Sequence, residues 1–318
     1  MLTGENIAVI GTIFVDIKGF AGKHYNPCGR NVGEVRLVHG GVGRNVAENL
    51  ARLGNNVTFV SSVNDDGLGR GVLERLREEG IETRYVHLSA TAGMGLWVVI
   101  NDAAGKQAGA VSQMPDVRLM ESVLDRYGED IAAMTGHIVL EIDLSESISR
   151  RMLGLAQAYR KKVYALPGNM EVLLRNPGVL RSVSCFICND VEAGRLLGVD
   201  TAGKTPEEME QLARRGVQSL GMPAFVITLG EKGCVFCSAE GESGWEKAIP
   251  TVVRDASGAG DAFFAGAVTA LAQGCCLREA VRAGTRAASF VLSSEENTLP
   301  ATAACACLEE KEDSYERR

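Results

Sequence analysis

A stretch rich in glycine and aspartate has the composition of a phosphate-handling turn. "DASGAGD" (255–261) joins an apolar run to a segment with helical periodicity. The backbone N–H groups of Gly258, Ala259 and Gly260 would lie at the start of that helix, where the helix dipole favours phosphate. Because a carboxylate repels phosphate, Asp261 is better suited to accept a proton from a hydroxyl that attacks phosphorus. The alternative is a tight turn in which Asp261 only caps the helix.

The elements that position this turn alternate along the chain. Strand-like runs occur at 7–11, 57–63, 137–142, 162–166, 184–188 and 224–229, with helical patterns between most of them. This alternation is typical of an α/β fold, in which helices cover a mostly parallel sheet. No repeat or low-complexity linker divides the sequence, so we expect a single domain over residues 1–318.

Two segments interrupt the alternation. Residues 12–39 and 91–112 each contain two strand-like runs around a polar or turn-like stretch, with no helical pattern. Such segments are typical of hairpins. We expect them to pair as a small sheet outside the main one and to act as a lid.

Composition narrows the class of protein and its partners. The chain has 318 residues, of which 46% are hydrophobic, and a net charge of −7. No apolar run reaches the length of about 18 residues that a membrane span needs, and the N-terminus lacks the pattern of a signal peptide. The acidic balance argues against a nucleic-acid partner. We therefore expect a cytoplasmic globular protein with no membrane partner.

Nine cysteines invite a metal-site interpretation, especially in two C-x-x-C pairs. Cys185 and Cys188, like Cys234 and Cys237, lie in apolar, strand-like runs. Residues three apart on a strand point to opposite faces and cannot easily share one ion. We predict free, buried thiols that behave as small hydrophobic groups.

"DASGAGD" resembles the C-terminal signature of the ribokinase-like (PfkB) carbohydrate and nucleoside kinases. The resemblance implies a ribokinase-like three-layer α/β/α sandwich with a central, mostly parallel sheet and a small β-sheet lid. It also implies an ATP-dependent kinase that phosphorylates an alcohol group. Asp261 would then be the catalytic base, with Gly258, Ala259 and Gly260 as the anion hole. Asp255 is a candidate neighbour of a monovalent cation such as K⁺.

The acceptor side of the resemblance lies near the N-terminus. "HGGVGRNVAENLARLG" (39–54) resembles the family's Gly-Gly signature, in which Gly40, Gly41 and Asn45 would contact sugar hydroxyls. Asp16 matches the aspartate that accepts hydrogen bonds from two of those hydroxyls. Taken alone, the glycines indicate an ordinary turn and Asp16 a turn residue at the end of the first strand.

The nucleotide side of the resemblance comes from two further motifs. "CNDVEAGRLLG" matches an N-x-x-E element whose Asn189 and Glu192 would orient a hydrated Mg²⁺ ion, with Glu192 acting through water. Helix capping is the alternative interpretation of this pair. "VITLGEKGCVF" would bring Thr228 and Gly230 near the ATP phosphates, with Gly233 making the turn.

A closer resemblance to one group within the family narrows the range of possible phosphate acceptors. Residues 31–54 and "SSEENTLP" look most like pseudouridine kinases. This implies transfer of the γ-phosphate to the ribose 5′-hydroxyl of pseudouridine, giving pseudouridine 5′-phosphate and ADP, with the base under the lid near Asn31. The alternatives are a kinase for ribose, adenosine or inosine, and a catalytically silent ligand sensor with this fold. A homodimer through the lid is a further expectation.

Overall fold

The computed structural model describes residues 4–22, 24–168 and 170–300 and contains two β-sheets. The strands are β1 (Asn6–Ile10), β2 (Phe14–Ala21), β3 (Gly33–Gly40), β4 (Asn56–Asn64), β5 (Glu82–Ser89), β6 (Gly95–Asn101), β7 (Gln107–Gln113), β8 (His137–Glu141), β9 (Lys162–Leu166), β10 (Cys185–Asn189), β11 (Ala224–Thr228), β12 (Cys234–Ser238) and β13 (Ser243–Glu246). The predicted strands of the main sheet agree with the observed ones to within one or two residues.

Helices connect most of these strands. They are α1 (Val42–Arg52), α2 (Gly67–Glu78), α3 (Val117–Met134), α4 (Glu146–Ala158), α5 (Glu171–Arg175), α6 (Asp190–Leu197), α7 (Pro206–Leu220), α8 (Ala259–Ala272) and α9 (Leu277–Leu292), with 3-10 turns at Pro177–Ser182 and Gly230–Lys232. In the described part of the chain, no helix is both long and apolar enough to cross a membrane.

The large sheet has nine strands in the order β13-β12-β11-β10-β9-β8-β1-β4-β5. The seven strands from β11 to β5 are parallel, and β12 and β13 extend the sheet antiparallel. Along β1, Ile7 and Val9 pack in one hydrophobic core, whereas Ala8 and Ile10 pack in the other. Helices α1, α2, α8 and α9 cover the first face, and α3, α4 and α7 cover the second. The expected three-layer α/β/α sandwich is confirmed.

The four strand cysteines divide between the two cores as their spacing predicts. Cys185 and Cys234 lie in the core beneath α8, whereas Cys188 and Cys237 lie in the opposite core. All four are buried and free of disulfides. Burial raises the pKa of the Cys185 thiol to about 12, so this group stays protonated at neutral pH. The prediction of buried thiols on opposite faces is confirmed for these residues.

The small sheet has four strands in the order β3-β2-β6-β7. Its strands come from the two segments that interrupt the alternation, as two antiparallel hairpins joined by the parallel pair β2 and β6. Asp16 lies opposite Trp97, which lies opposite Ser112, so these three side chains share one face. Asp16 is therefore the third residue of β2, rather than the end of the first strand as the sequence suggested.

Candidate active site

A cavity of about 400 Å³ separates the small sheet from the large one. We call it the small-sheet cavity. Phe14, Asp16, Trp97 and Ser112 line it from the small sheet, while Asn45 and Glu141 line it from α1 and β8. The cavity thus combines carboxylate and amide groups with two aromatic side chains.

The predicted Gly-Gly turn forms one wall of this cavity. Gly41 has a φ of 96° immediately before α1, a conformation that favours glycine. A Cβ added at Gly40 would lie 3.0 Å from both carboxylate oxygens of Asp16. The turn therefore brings the backbone close against Asp16. Burial raises the pKa of Asp16, opposed by the charges of Lys18 and Arg44.

Asp261 does not cap α8. The capping position belongs to Gly258, which has left-handed backbone angles and makes no side-chain capping bond. Asp261 lies in the first turn, and its Oδ2 accepts a hydrogen bond of 2.7 Å from Nδ2 of Asn45. Burial raises the pKa of Asp261 to about 7, opposed by Asn45 and Arg44 and reinforced by Glu192. A carboxylate with this pKa is suited to exchange protons near neutral pH.

A second cavity, of about 610 Å³, lies beside the N-terminus of α8. We call it the α8 cavity. Thr228, Gly230 and Gly233 line one side of it, and Ala259 and Gly260 line another. The remaining wall includes Thr285, Ala288, Ser289 and Leu292 of α9, together with apolar residues of the 248–253 segment. The structure thus brings Thr228, Gly230 and Gly233, three of the residues predicted for the nucleotide, around one space with Ala259 and Gly260.

Asp261 lies next to one residue from the lining of each cavity. Its hydrogen-bond partner Asn45 lines the small-sheet cavity, and the preceding residue, Gly260, lines the α8 cavity. A Cβ added at Gly260 would meet no atom within 4 Å, so there is open space in front of this backbone. The Asp261 carboxylate is therefore adjacent to the linings of both cavities.

Asn189 and Glu192 form a reciprocal capping box at the start of α6. The Glu192 N–H donates to Oδ1 of Asn189 and the Asn189 N–H donates to Oε2 of Glu192, both at 2.8 Å. Neither residue lines the small-sheet cavity or the α8 cavity. The charge of Glu192 nevertheless raises the pKa of Asp261. In this structure the pair makes the capping contacts of the alternative interpretation.

Asp255 anchors the turn before α8. Its Oδ1 accepts a hydrogen bond of 2.8 Å from the backbone N–H of Ser257. Over the described residues, no three histidine, cysteine, aspartate or glutamate side chains form a group that could hold a metal ion.

Asn31 lies in the loop between β2 and β3, outside the lining of the small-sheet cavity. Its amide nitrogen donates to the carbonyls of Asn26 and Gly29, at 2.9 and 3.2 Å. Its Oδ1 accepts from the N–H of Asn26 at 2.8 Å. The side chain is therefore used to shape its own loop, and the structure does not bring it together with Asp16 and Asn45.

Sequence reasoning missed Glu141, a buried carboxylate at the end of β8. It accepts hydrogen bonds from the backbone N–H of Thr12 at 2.8 Å and from its hydroxyl at 3.0 Å. Burial raises the pKa of Glu141 to about 7, and the nearby charges of Asp143 and Asp261 add to this effect. Its place at the carboxyl end of a parallel strand was the available signal, because ligands commonly bind at that edge.

Residues 297–299 contact the Gly-Gly turn, α1 and the start of α8. The side chain of Asn297 donates to the carbonyl of His39 at 2.8 Å, next to the Gly-Gly turn. The backbone N–H of Leu299 donates to Asn49 on α1 at 2.7 Å. A Cβ added at Gly258 would lie 2.0 Å from the carbonyl oxygen of Asn297, so this segment also touches the start of α8.

A polar cavity, a second cavity beside a helix N-terminus and a buried carboxylate next to both suit an enzyme that transfers a phosphoryl group between two small molecules. The chain belongs to the pfkB family of carbohydrate kinases, whose model matches residues 5–304. It is 34% identical over 303 residues to the guanosine-inosine kinase of Exiguobacterium acetylicum, covering 93% of this chain and 97% of that protein.

Other relatives agree with this family. The pseudouridine kinase of Escherichia coli (strain K12) is 27% identical over 297 residues, which cover 93% of each chain. The structure of Arabidopsis thaliana ribokinase complexed with ribose and ATP superposes with a TM-score of 0.82 at 21% identity, covering 96% of this chain and 99% of that one. The protein is thus a ribokinase-like, ATP-dependent small-molecule kinase.

Proposed function

We propose that this kinase phosphorylates the ribose 5′-hydroxyl of a purine nucleoside, guanosine or inosine. The observation that carries this proposal is the mixed lining of the small-sheet cavity, where Asp16 and Asn45 face the same space as Phe14 and Trp97. Polar groups suit ribose hydroxyls, and aromatic faces stack on bases. A free sugar would leave the aromatic wall without a partner. The 34% identity to a guanosine-inosine kinase supports a purine base.

In the proposed reaction, Asp16 accepts hydrogen bonds from ribose hydroxyls, and the Gly40-Gly41 turn fits against the sugar. The Asp261 carboxylate takes the proton of the 5′-hydroxyl. The 5′ oxygen bonds to the γ-phosphorus while the bond between that phosphorus and the leaving ADP breaks. Backbone N–H groups of Gly258, Ala259 and Gly260 stabilise the negative charge that develops on the transferred group. The proton then leaves Asp261 for solvent.

The residues around the α8 cavity fit a nucleotide triphosphate. Its volume of about 610 Å³ and the open space before Gly260 leave room for a charged group beside the helix N-terminus. Thr228 and Gly230 would lie along the phosphates, and the apolar side chains of α9 would face the adenine.

Mg²⁺ is the metal ion we propose for this reaction; when bound, it neutralises charge on the phosphates. Mg²⁺ usually keeps several waters and takes one or two carboxylates plus phosphate oxygens, so it needs no protein cage of three acidic groups. Glu192 is the carboxylate we propose, acting through water, with Asn189 holding its orientation. Asp255 remains our candidate neighbour for K⁺.

Pseudouridine is the second candidate acceptor. The resemblance of residues 31–54 to pseudouridine kinases and the 27% identity to the Escherichia coli enzyme favour it. Its uracil is a single ring and would cover less of Trp97 than a purine does. Asn31 would have to leave its own loop to reach such a base.

The test is an ADP-release assay with guanosine, inosine, pseudouridine, adenosine and ribose in parallel. We expect the highest kcat/KM with guanosine or inosine, and a 5′-phosphate as product. 5′-Deoxyinosine is the matched control, since it should bind competitively but release no ADP. A preference for pseudouridine would move the assignment to the second candidate. A preference for ribose would exclude the nucleoside proposal and leave the kinase class intact.

We also propose that the outer face of the small sheet forms a homodimer contact. Leu37, Val98 and Val111 share this face with Ile17, opposite the cavity, and Leu37 and Val111 are 58% and 74% exposed. A second copy of the chain offers the same apolar face, as a two-fold contact requires. The compartment we propose is the cytoplasm, which supplies ATP and keeps thiols reduced.

A further inference from the structure

Arg44, the third residue of α1, is an almost fully buried arginine beside the site. Its Nη1 forms an ion pair of 2.7 Å with Glu48 one turn along the helix. Its Nε donates to the carbonyl of Gly40 at 3.3 Å, and Nη2 donates to the carbonyl of His39 and to Oδ1 of Asn45. One guanidinium thus holds both the Gly-Gly turn and the amide that contacts Asp261.

The contact with Asn45 has a direct chemical consequence. An asparagine amide presents an acceptor on one side and a donor on the other, and either orientation fits the same space. Arg44 offers only donors, so the oxygen of Asn45 must face Arg44. The NH₂ group must then face Asp261, and it donates to Oδ2 at 2.7 Å.

We propose that Arg44 is a positioning residue that fixes Asn45 as a hydrogen-bond donor to Asp261, and that it thereby keeps the base ionised and correctly oriented. This inference rests on the proposed function, because it assumes that Asp261 is the base. Without Arg44, the Asp261 carboxylate alone holds this orientation of the Asn45 amide. The reversed amide, with its oxygen towards Asp261, then becomes available to a protonated carboxyl that donates to it, so the protonated form of Asp261 is stabilised.

The charges around Asp261 set the direction of the expected change. Arg44 on α1 is the cation that faces it, whereas Glu192 on α6 and Glu141 on β8 are the anions. Removing Arg44 leaves the negative charges of Glu192 and Glu141 near Asp261 with no positive charge to offset them. The pKa of Asp261 should therefore rise, and the ionised fraction at neutral pH should fall.

The structure also offers a variant that should fold and a matched control. In Arg44→Met, Glu48 keeps an ion pair of 3.1 Å with Arg75, so its charge is not left unpaired. Arg52 is a second poorly exposed arginine on α1, with a salt bridge of 2.5 Å to Glu79. Arg52 also contacts Glu296, Thr298 and the carbonyl of Leu299. Arg52→Met therefore removes a comparable side chain from the same helix and leaves the hydrogen bonds among Arg44, Asn45 and Asp261 in place.

The experiment measures the pKa of the Asp261 carboxyl in ligand-free protein by NMR with ¹³C-labelled aspartate, with Asp261→Asn identifying the signal. We expect Arg44→Met to raise this pKa by about one unit, and Arg52→Met to leave it unchanged. From a starting value near 7, that rise alone lowers kcat/KM for the acceptor at pH 7 about fivefold. The KM for ATP should stay the same. Arg44→Lys, which keeps the charge but loses the planar fork, should show a smaller rise.

Equal pKa values in wild type, Arg44→Met and Arg44→Lys would overturn the proposal, as would an identical rise in Arg52→Met. If Arg44→Met does not fold, the pKa of Asp261 is compared among wild type, Arg44→Lys and Arg52→Met. A rise in Arg44→Lys alone supports the proposal, and no rise in Arg44→Lys overturns it. The proposed function fails separately, when Asp261→Asn keeps full turnover. The two failures are distinguishable because the NMR titration needs no turnover.

Discussion

The pH dependence of the kinase reaction tests the role of Asp261 most directly. Burial raises the pKa of this carboxyl to about 7, and a general base must be ionised to work. The value of kcat/KM should therefore be lost as pH falls through 7, to about one tenth of its plateau at pH 6 and about one hundredth at pH 5. Asp261→Asn should lower the rate roughly 10²-fold or more and remove this limb.

A pH profile alone does not distinguish Asp261 from Glu141 as the general base, since burial raises the pKa of Glu141 to about 7 as well. The variant Glu141→Gln distinguishes between the two carboxyls. It removes a negative neighbour of Asp261, so the pKa of Asp261 should fall and the acid limb should move to lower pH without disappearing. Arg52→Met again serves as a control that should leave the limb in place.

The assay is ADP release under saturating ATP from pH 5 to 9, with acceptor binding measured by calorimetry for each variant. The reasoning is refuted if Asp261→Asn keeps the wild-type rate while binding is unchanged. It is also refuted if Glu141→Gln abolishes the limb and Asp261→Asn retains it, because Glu141 would then be the base.

Three further outcomes follow from single contacts. Gly258→Ala places a Cβ 2.0 Å from the carbonyl of Asn297 at a φ of 79°, so it should lower the melting temperature and cost about 1–3 kcal/mol or more of stability, measured by thermal unfolding. Trp97→Ala should raise the KM for guanosine roughly tenfold and leave that for ribose unchanged, because a stacked base contributes about 1–3 kcal/mol. Leu37→Glu should convert a dimer to a monomer in light scattering without changing kcat, whereas a monomeric wild type would contradict the proposed contact.

The fold was predictable because its signals are local. Hydrophobic runs marked the buried strands of the main sheet, and the lack of helical pattern in 12–39 and 91–112 marked the small sheet. Thr205, Pro206 and Glu208 mark the start of α7, where the structure has a capping box between Thr205 and Glu208. Such patterns depend on neighbours a few residues apart, which a sequence displays directly.

The sequence predicted site residues where they form short motifs or, like Asp16, match the pattern of the family. The glycines before Asp261 predict an anion-binding turn from their own spacing. Arg44 and Glu141 look like ordinary charged residues until their burial is known. Their roles depend on contacts with distant parts of the chain, such as the one between Glu141 and Thr12. Asn31 was predicted to contact substrate because it lies in a stretch that resembles a known kinase group. Its side chain instead forms hydrogen bonds within its own loop.

The hydrogen bond between Asn297 and His39 joins residues 258 positions apart, which matters for folding during translation. A nascent chain can form the Gly-Gly turn early, yet the segment that locks it against the start of α8 leaves the ribosome hundreds of residues later. Domains made one residue at a time expose partly formed structure to chaperones until the last contact closes. Phosphoryl transfer should therefore begin only after residues 297–299 have been synthesised and have packed against the Gly-Gly turn.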